Sequence, residues 1–123
     1  MRVILLLLVL AVAAAGCGVG PATNEEKISK TTSTYLSALA DGDAATACAQ
    51  LTPRARAGMC GSAMKERLPR LDPGVLKATA ADSMDIDVDG NRASVGLSDP
   101  PGARFLLLKT NDEWRIDSGY TLD

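Results

Sequence analysis

The sequence has no histidine, only four aromatic residues and no strong excess of either charge. Histidine is the usual general base near neutral pH and a common zinc ligand, so its absence removes the commonest forms of both chemistries. The 13 basic and 15 acidic residues give a net charge of −2, without the basic excess typical of nucleic-acid-binding proteins. We therefore expect no nucleic-acid partner, no metal and no cofactor.

The longest apolar run stands at the start of the chain. Arg2 precedes 13 uncharged apolar residues, Val3 to Ala15, and Cys17 follows two small residues. The run is shorter than the ~20 residues that a membrane-spanning helix needs, but it suits the apolar region of a secretory signal. Residues 1–16 are therefore predicted to be a signal peptide, which leaves 107 residues, enough for one small domain.

The order Ala15-Gly16-Cys17 after an apolar run resembles the lipobox of bacterial lipoproteins. The resemblance implies that the Cys17 sulfur carries a diacylglycerol and that the signal is cleaved just before it. The protein would then be lipid-anchored on the outer face of the cell membrane, with the membrane as its first partner. Residues 17–24 would form the lipidated tether, because the segment Gly18 to Ala22 contains only small residues and a proline.

With Cys17 taken by lipid, Cys48 and Cys60 remain. Export would place them in an oxidising compartment, where a disulfide closing a loop of 13 residues is favourable. Their spacing is not that of a Cys-x-x-Cys pair, and no histidine can complete a zinc site. The sequence predicts a structural disulfide, with a metal-binding or reactive thiol pair as the alternative.

The first part of residues 25–123 has helical signals. Four polar residues stand where helix N-caps are expected: Thr23, Asp43, Thr52 and Ser62. Gly42 can end the first of these helices, and Pro53 can occupy the first position of the third, which would run to about Cys60. Residues 71–83 predict only a turn, at Asp72-Pro73-Gly74.

From Met84 onward the sequence alternates between apolar and polar residues, as strands do. A Gly90-Asn91 turn would pair Val88 with Ala93, whereas an Asp89-Gly90 turn would give another register, and the sequence leaves both open. The continuous run Phe105 to Leu108 predicts a strand covered on both faces, and a second turn follows at Asn111-Asp112. Helices followed by two hairpins predict an α+β domain, with the helices on one face of an antiparallel sheet.

Three segments resemble the nuclear transport factor 2-like (cystatin-like) superfamily, in particular small exported lipoproteins of high-GC bacteria. They are residues 35–43 with the pattern YLSALADGD, residues 45–53 with Cys48, and the closing residues 105–117. The resemblance covers about residues 25–120. It implies a curved antiparallel sheet that wraps a long first helix and leaves an apolar cone. Some members of the superfamily are enzymes, whereas many bind only ligands or partners.

Three aromatic residues are candidates for the mouth of a pocket in such a cone: Tyr35, Trp114 and Tyr120. With Met64 and the leucines they would line a small apolar cavity, so we expect a small apolar ligand or an envelope protein as partner. This favours a non-catalytic binding or scaffolding module. The alternatives are a purely structural envelope protein and a small enzyme that pairs Tyr35 with Asp43 or Asp117.

Two charged clusters favour a solvated surface over a ligand site. Residues 85–90 begin like a calcium loop, but Gly96 stands where such a loop needs a bidentate glutamate. The second cluster is basic and lies in the middle helices: Arg54, Arg56, Lys65, Arg67 and Arg70. Contact with anionic lipid headgroups or cell-wall polymers is the alternative for this cluster, and a solvated helix face is the favoured interpretation.

Overall fold

The computed structural model describes residues 22–97 and 102–119. Its helices are α1 (Asn24–Ala40), α2 (Ala44–Ala49), α3 (Pro53–Met59), α4 (Ser62–Arg67) and α5 (Pro73–Ala81), with a 3-10 turn at Leu68–Arg70. The strands are β1 (Asp85–Asp89), β2 (Arg92–Gly96), β3 (Arg104–Thr110) and β4 (Glu113–Gly119). The four strands form one open antiparallel sheet in the order β1-β2-β3-β4, which confirms the α+β class. The predicted signal peptide, Cys17 and Tyr120 lie outside the described residues.

The helices begin at the capping residues that the sequence contains. The Thr23 hydroxyl accepts a hydrogen bond from the Glu26 amide at 3.2 Å, and Asp43 and Thr52 cap α2 and α3 in the same way. Ser62 is the first residue of α4 rather than its cap. Each satisfied amide removes an unpaired donor from a helix start, which fixes where the helix begins.

The sequence prediction for residues 71–83 was wrong, because α5 occupies most of this segment. The Asp72 carboxylate accepts hydrogen bonds from the amides of Gly74 and Val75, and Pro73 takes the first helical position. An aspartate followed by proline starts a helix as readily as a turn. Packing against α1 decides between them, and Leu76 is buried in that contact region.

The residues at the two turns determine how the strands of each hairpin are paired. Val88 lies opposite Ala93 and Asp89 opposite Arg92, so the first turn is Gly90-Asn91 and the alternative register is excluded. Asn111 and Asp112 both have positive φ angles, 52° and 61°, as a two-residue type I′ turn requires.

Strand β3 is covered on one face only, which corrects the prediction of a strand covered on both. Phe105 and Leu107 are fully buried beneath the helices, whereas Leu106 is 50% exposed on the opposite face of the sheet. The error arose because a continuous apolar run does not show how many layers the fold contains.

The core lies between α1 and the sheet. Its largest fully buried side chains come from both layers: Trp114, Phe105, Ile28, Leu36, Leu51, Leu107, Ile116 and Val95. The link between α2 and α3 covers the outer edge of β4. The backbone amide of Ile116 donates to the Gln50 carbonyl, and the amide of Thr52 donates to the Ile116 carbonyl, both at 2.8 Å. Among the residues described, none of the helices has both the length and the apolar character needed to cross a membrane.

Gly119 is the position in β4 where a side chain is excluded by packing. A Cβ atom there would overlap Cδ1 of Phe105, whose ring is buried against Tyr35. We expect Gly119→Ala to lower the free energy of unfolding by about 1–3 kcal/mol, because the packed ring must move. Urea unfolding measures the effect. The control is Gly58→Ala in α3, where a Cβ meets nothing within 4 Å and no loss is expected. Equal values for the two variants would contradict the packing argument.

Candidate functional site

A cleft of about 410 Å³ lies between residues 27–34 of α1 and the β3–β4 hairpin. Its helical wall consists of Lys27, Lys30, Thr31 and Thr34, which share one side of α1 because they are three or four residues apart. The opposite wall is the segment 112–115, and Gln50 closes one end. The volume falls within the range of small-molecule sites, roughly 300–1,000 Å³.

Hydrogen bonds to Asn24 and from Thr31 hold the two walls together. The Asn24 side-chain oxygen accepts from the indole nitrogen of Trp114 at 3.2 Å and from Lys109 Nζ at 3.4 Å. Thr31 donates its hydroxyl hydrogen to the Trp114 carbonyl at 3.3 Å. These contacts join α1 to β4 around the Trp114 ring, which is 1% exposed.

Both carboxylates at the cleft have cationic partners. Glu113 Oε2 accepts from Arg115 at 2.8 Å, and the Asp112 carboxylate lies 3.8 Å from Lys109 Nζ. Within residues 22–97 and 102–119, neither Lys27 nor Lys30 has a carboxylate within 4 Å. The helical wall therefore carries two lysines that form no ion pair among the described residues.

A second cleft, about 560 Å³ in volume, adjoins the first across the Glu113–Arg115 pair. It is bordered by Cys48 and by Arg56, whose guanidinium donates to the carbonyls of Cys48 and Leu51. The predicted Cys48–Cys60 disulfide is confirmed, with the two Cα atoms 6.2 Å apart, and it joins α2 to the end of α3. The bond fixes the segment that forms one side of this cleft.

The three predicted pocket residues have different positions. Trp114 borders the first cleft. Tyr35 is 4% exposed in the core, where its ring meets that of Phe105 edge-on at 5.8 Å, and it lines neither of these two clefts. Burial raises the pKa of the Tyr35 hydroxyl, and the positive charge of Arg67 acts in the opposite direction. Since Tyr120 lies outside the described residues, the pocket formed by all three remains a prediction.

The carboxylates considered for an acid/tyrosine site both make structural contacts. Asp43 accepts hydrogen bonds from the amide and hydroxyl of Thr46, which lower its pKa and cap α2. Asp117 is paired with Arg54, and it also accepts from the Thr52 hydroxyl at 2.8 Å. Neither carboxylate is hydrogen-bonded to Tyr35 in the part of the chain that the structure covers.

The charged clusters lie on the surface. The side chains of Asp85, Asp87 and Asp89 lie on the exposed face of β1, away from the core of the domain. Over the described ranges, no group of three or more acidic, cysteine or histidine residues is placed to hold a metal ion. The basic middle-helix residues are exposed except for the half-buried Arg67.

The contacts of Asp117 predict how the stability of the fold depends on pH. Hydrogen bonding from the Arg54 guanidinium, aided by Thr52, holds the pKa of Asp117 below its ordinary value despite partial desolvation. The folded state therefore binds this proton less readily than the unfolded state. Its stabilisation is present above pH ~4 and is lost as the pH falls through the lowered pKa.

We expect Asp117→Asn to lower the free energy of unfolding by about 0.5–1.5 kcal/mol at pH 7. The difference from the native protein should shrink below pH 4. Urea unfolding at a series of pH values measures both effects. Asp87→Asn, on the exposed face of β1, is the matched control and should change stability by less than ~0.5 kcal/mol. A pH-independent loss in Asp117→Asn would show that charge is not the cause.

The cleft lysines were not among the residues singled out from the sequence. Lys27, Lys30 and Thr34 do form a polar side of α1 at helical spacing, but that pattern is shared by most surface helices. Their importance appears only when the distant β3–β4 hairpin is placed beside them. No family model, no curated protein and no solved structure matched the chain in the comparisons with known proteins.

Proposed function

We propose that this protein is an exported lipoprotein, anchored through lipid on Cys17 to the outer face of the cell membrane. The observation that carries the proposal is the apolar run that ends at Ala15-Gly16-Cys17. The Cys48–Cys60 disulfide supports it independently, because such bonds persist mainly in oxidising compartments outside the cytosol.

The folded part would act there as a non-catalytic binding or scaffolding module. Binding is favoured over catalysis because Asp43 and Asp117 serve structural contacts and Tyr35 packs in the core. We further propose that α1 and the sheet form a cone of the nuclear transport factor 2-like type. A long first helix that contacts β1 and β4 of a four-stranded antiparallel sheet, with an irregular register near Leu106, is consistent with that architecture.

We further propose that the first cleft faces the membrane that carries the anchor. Residues 17–23 separate the lipidated cysteine from the start of α1 at Asn24. A chain of this length reaches at most about 25 Å, because a residue spans at most ~3.6 Å. This limit on the distance from the anchor to Asn24 keeps the start of α1 within reach of the lipid headgroups.

The intact mass of the protein purified from membranes tests this proposal. We expect a chain that begins at Cys17 and carries a diacylglyceryl group, and we expect a gain of two hydrogen atoms when the Cys48–Cys60 bond is reduced. A Cys17→Ala variant is the control, since it should remain unlipidated. An unprocessed or unlipidated native chain would overturn the lipoprotein assignment, whatever ligand the domain binds.

A further inference from the structure

We propose that the cleft between α1 and the β3–β4 hairpin binds a small organic phosphate through Lys27 and Lys30. This rests on the proposed function, because it gives the binding module a ligand class. That class is anionic, in contrast to the apolar ligand expected from the sequence.

The charge balance at the cleft favours an anion. Three cations line it, since Arg115 accompanies the two helix lysines, and the carboxylates of Asp112 and Glu113 oppose them. Each carboxylate is already paired with a cation of the hairpin, at 3.8 and 2.8 Å respectively. Lys27 and Lys30 therefore present a local positive excess in a concave site, where a bound anion is partly shielded from solvent.

The spacing of the donors matches a phosphate. Residues three apart on a helix have neighbouring side chains, so the ammonium groups of Lys27 and Lys30 can approach the same group of oxygens. Lysine is a common phosphate ligand, and hydrogen bonds between charged partners are stronger than neutral ones. The half-buried Thr34 lies one turn after Lys30, and its hydroxyl adds a neutral donor at the same wall.

The size of the cleft indicates that the phosphate carries an organic group. A volume of about 410 Å³ exceeds what a bare phosphate ion fills, and the remaining wall includes Trp114 and the polar residues Thr31 and Gln50. A glycerol phosphate has suitable chemistry, with hydroxyls for these polar groups and a short carbon chain. The same chemistry occurs in soluble glycerol 3-phosphate and in the headgroup of phosphatidylglycerol.

Trp114 provides a direct reporter of binding, because it borders the cleft and is the only tryptophan in the sequence. The full protein, purified from membranes into neutral detergent, would be titrated with glycerol 3-phosphate at constant ionic strength. We expect a saturable change in tryptophan emission. In Lys27→Gln/Lys30→Gln the affinity should fall at least tenfold, because two charge-assisted hydrogen bonds are lost.

The matched control is Lys65→Gln/Lys77→Gln, which removes the same charge from α4 and α5, away from the cleft. Its affinity should stay within about twofold of the native protein, because charges at a distance are screened at ordinary ionic strength. Should the cleft variant unfold, the single variant Lys30→Gln replaces it, since this side chain is exposed. An equal loss of affinity in the two double variants would overturn the proposal.

A second arm distinguishes the two sources of the phosphate. The anchored protein is reconstituted into vesicles of phosphatidylcholine alone or with added phosphatidylglycerol, and the Trp114 emission is compared. A change that requires phosphatidylglycerol and the cleft lysines supports the headgroup as ligand, whereas a response to soluble glycerol 3-phosphate supports a free organic phosphate. Failure to respond to either probe overturns the proposal, and the intact-mass test of the anchor is unaffected by that outcome.

Discussion

Replacing Trp114 by alanine should lower the free energy of unfolding by about 3–5 kcal/mol, the range typical of large aromatic residues removed from a core. Trp114 is 1% exposed and is the largest fully buried side chain of the described residues. Its removal leaves a cavity between α1 and β4 and breaks the hydrogen bond from its indole to Asn24. Because small domains are stabilised by only about 5–15 kcal/mol, a large fraction of the stability should be lost.

Urea unfolding followed by circular dichroism measures this loss, and two variants separate its causes. Asn24→Ala removes the acceptor of the indole hydrogen bond but keeps the ring, so we expect a loss of about 1 kcal/mol. Leu106→Ala removes an apolar side chain that is 50% exposed on the other face of the same sheet, and we expect a change below ~0.5 kcal/mol. A loss of less than 1 kcal/mol in Trp114→Ala would contradict the central position of this ring in the core.

Much of this fold could be predicted from short-range sequence signals. The caps Thr23, Asp43 and Thr52 place three helix starts, because each satisfies backbone amides within its own turn. The Asn111-Asp112 turn was equally readable, since its residue types tolerate a positive φ. These features depend on interactions between residues at most a few positions apart, which a sequence displays directly.

Features that depend on distant partners were harder to predict. Asp72-Pro73-Gly74 is compatible with both a turn and a helix start, and contact with α1 selects the helix. The exposure of Leu106 depends on which sheet face the helices cover, and nothing within β3 encodes that choice.

The candidate site was even harder to predict, because its two walls are distant in the sequence. Trp114 was identified from the sequence because tryptophan is rare and large, whereas Lys27 and Lys30 look like ordinary surface residues of a helix. About 85 residues separate them from the hairpin that completes the cleft, so no local pattern links the two walls. In contrast, the Cys48–Cys60 bond was predictable because few pairings of three cysteines exist.

Removing that disulfide with the double variant Cys48→Ala/Cys60→Ala should lower the free energy of unfolding by about 3 kcal/mol. The bond closes a short loop between residues 12 apart, and in the chain-entropy model such a loop mainly restricts the unfolded state. For a domain of this size the midpoint of thermal unfolding should fall by about 10–20 °C. Calorimetry of the native and variant proteins, each with and without a reductant, measures the effect.

The comparison across reductant isolates the bond from the loss of the two sulfur atoms. Reduction should destabilise the native protein by nearly as much as the double variant and should leave the variant unchanged. Cys48 and Cys60 are only partly buried, so the packing lost with their side chains should be the smaller contribution. Because the bond holds the link that pairs with β4 at Ile116, hydrogen exchange at the Thr52 amide should also accelerate on reduction. If reduction leaves the native stability unchanged while the double variant is destabilised, side-chain packing is responsible and the loop-closure argument is wrong.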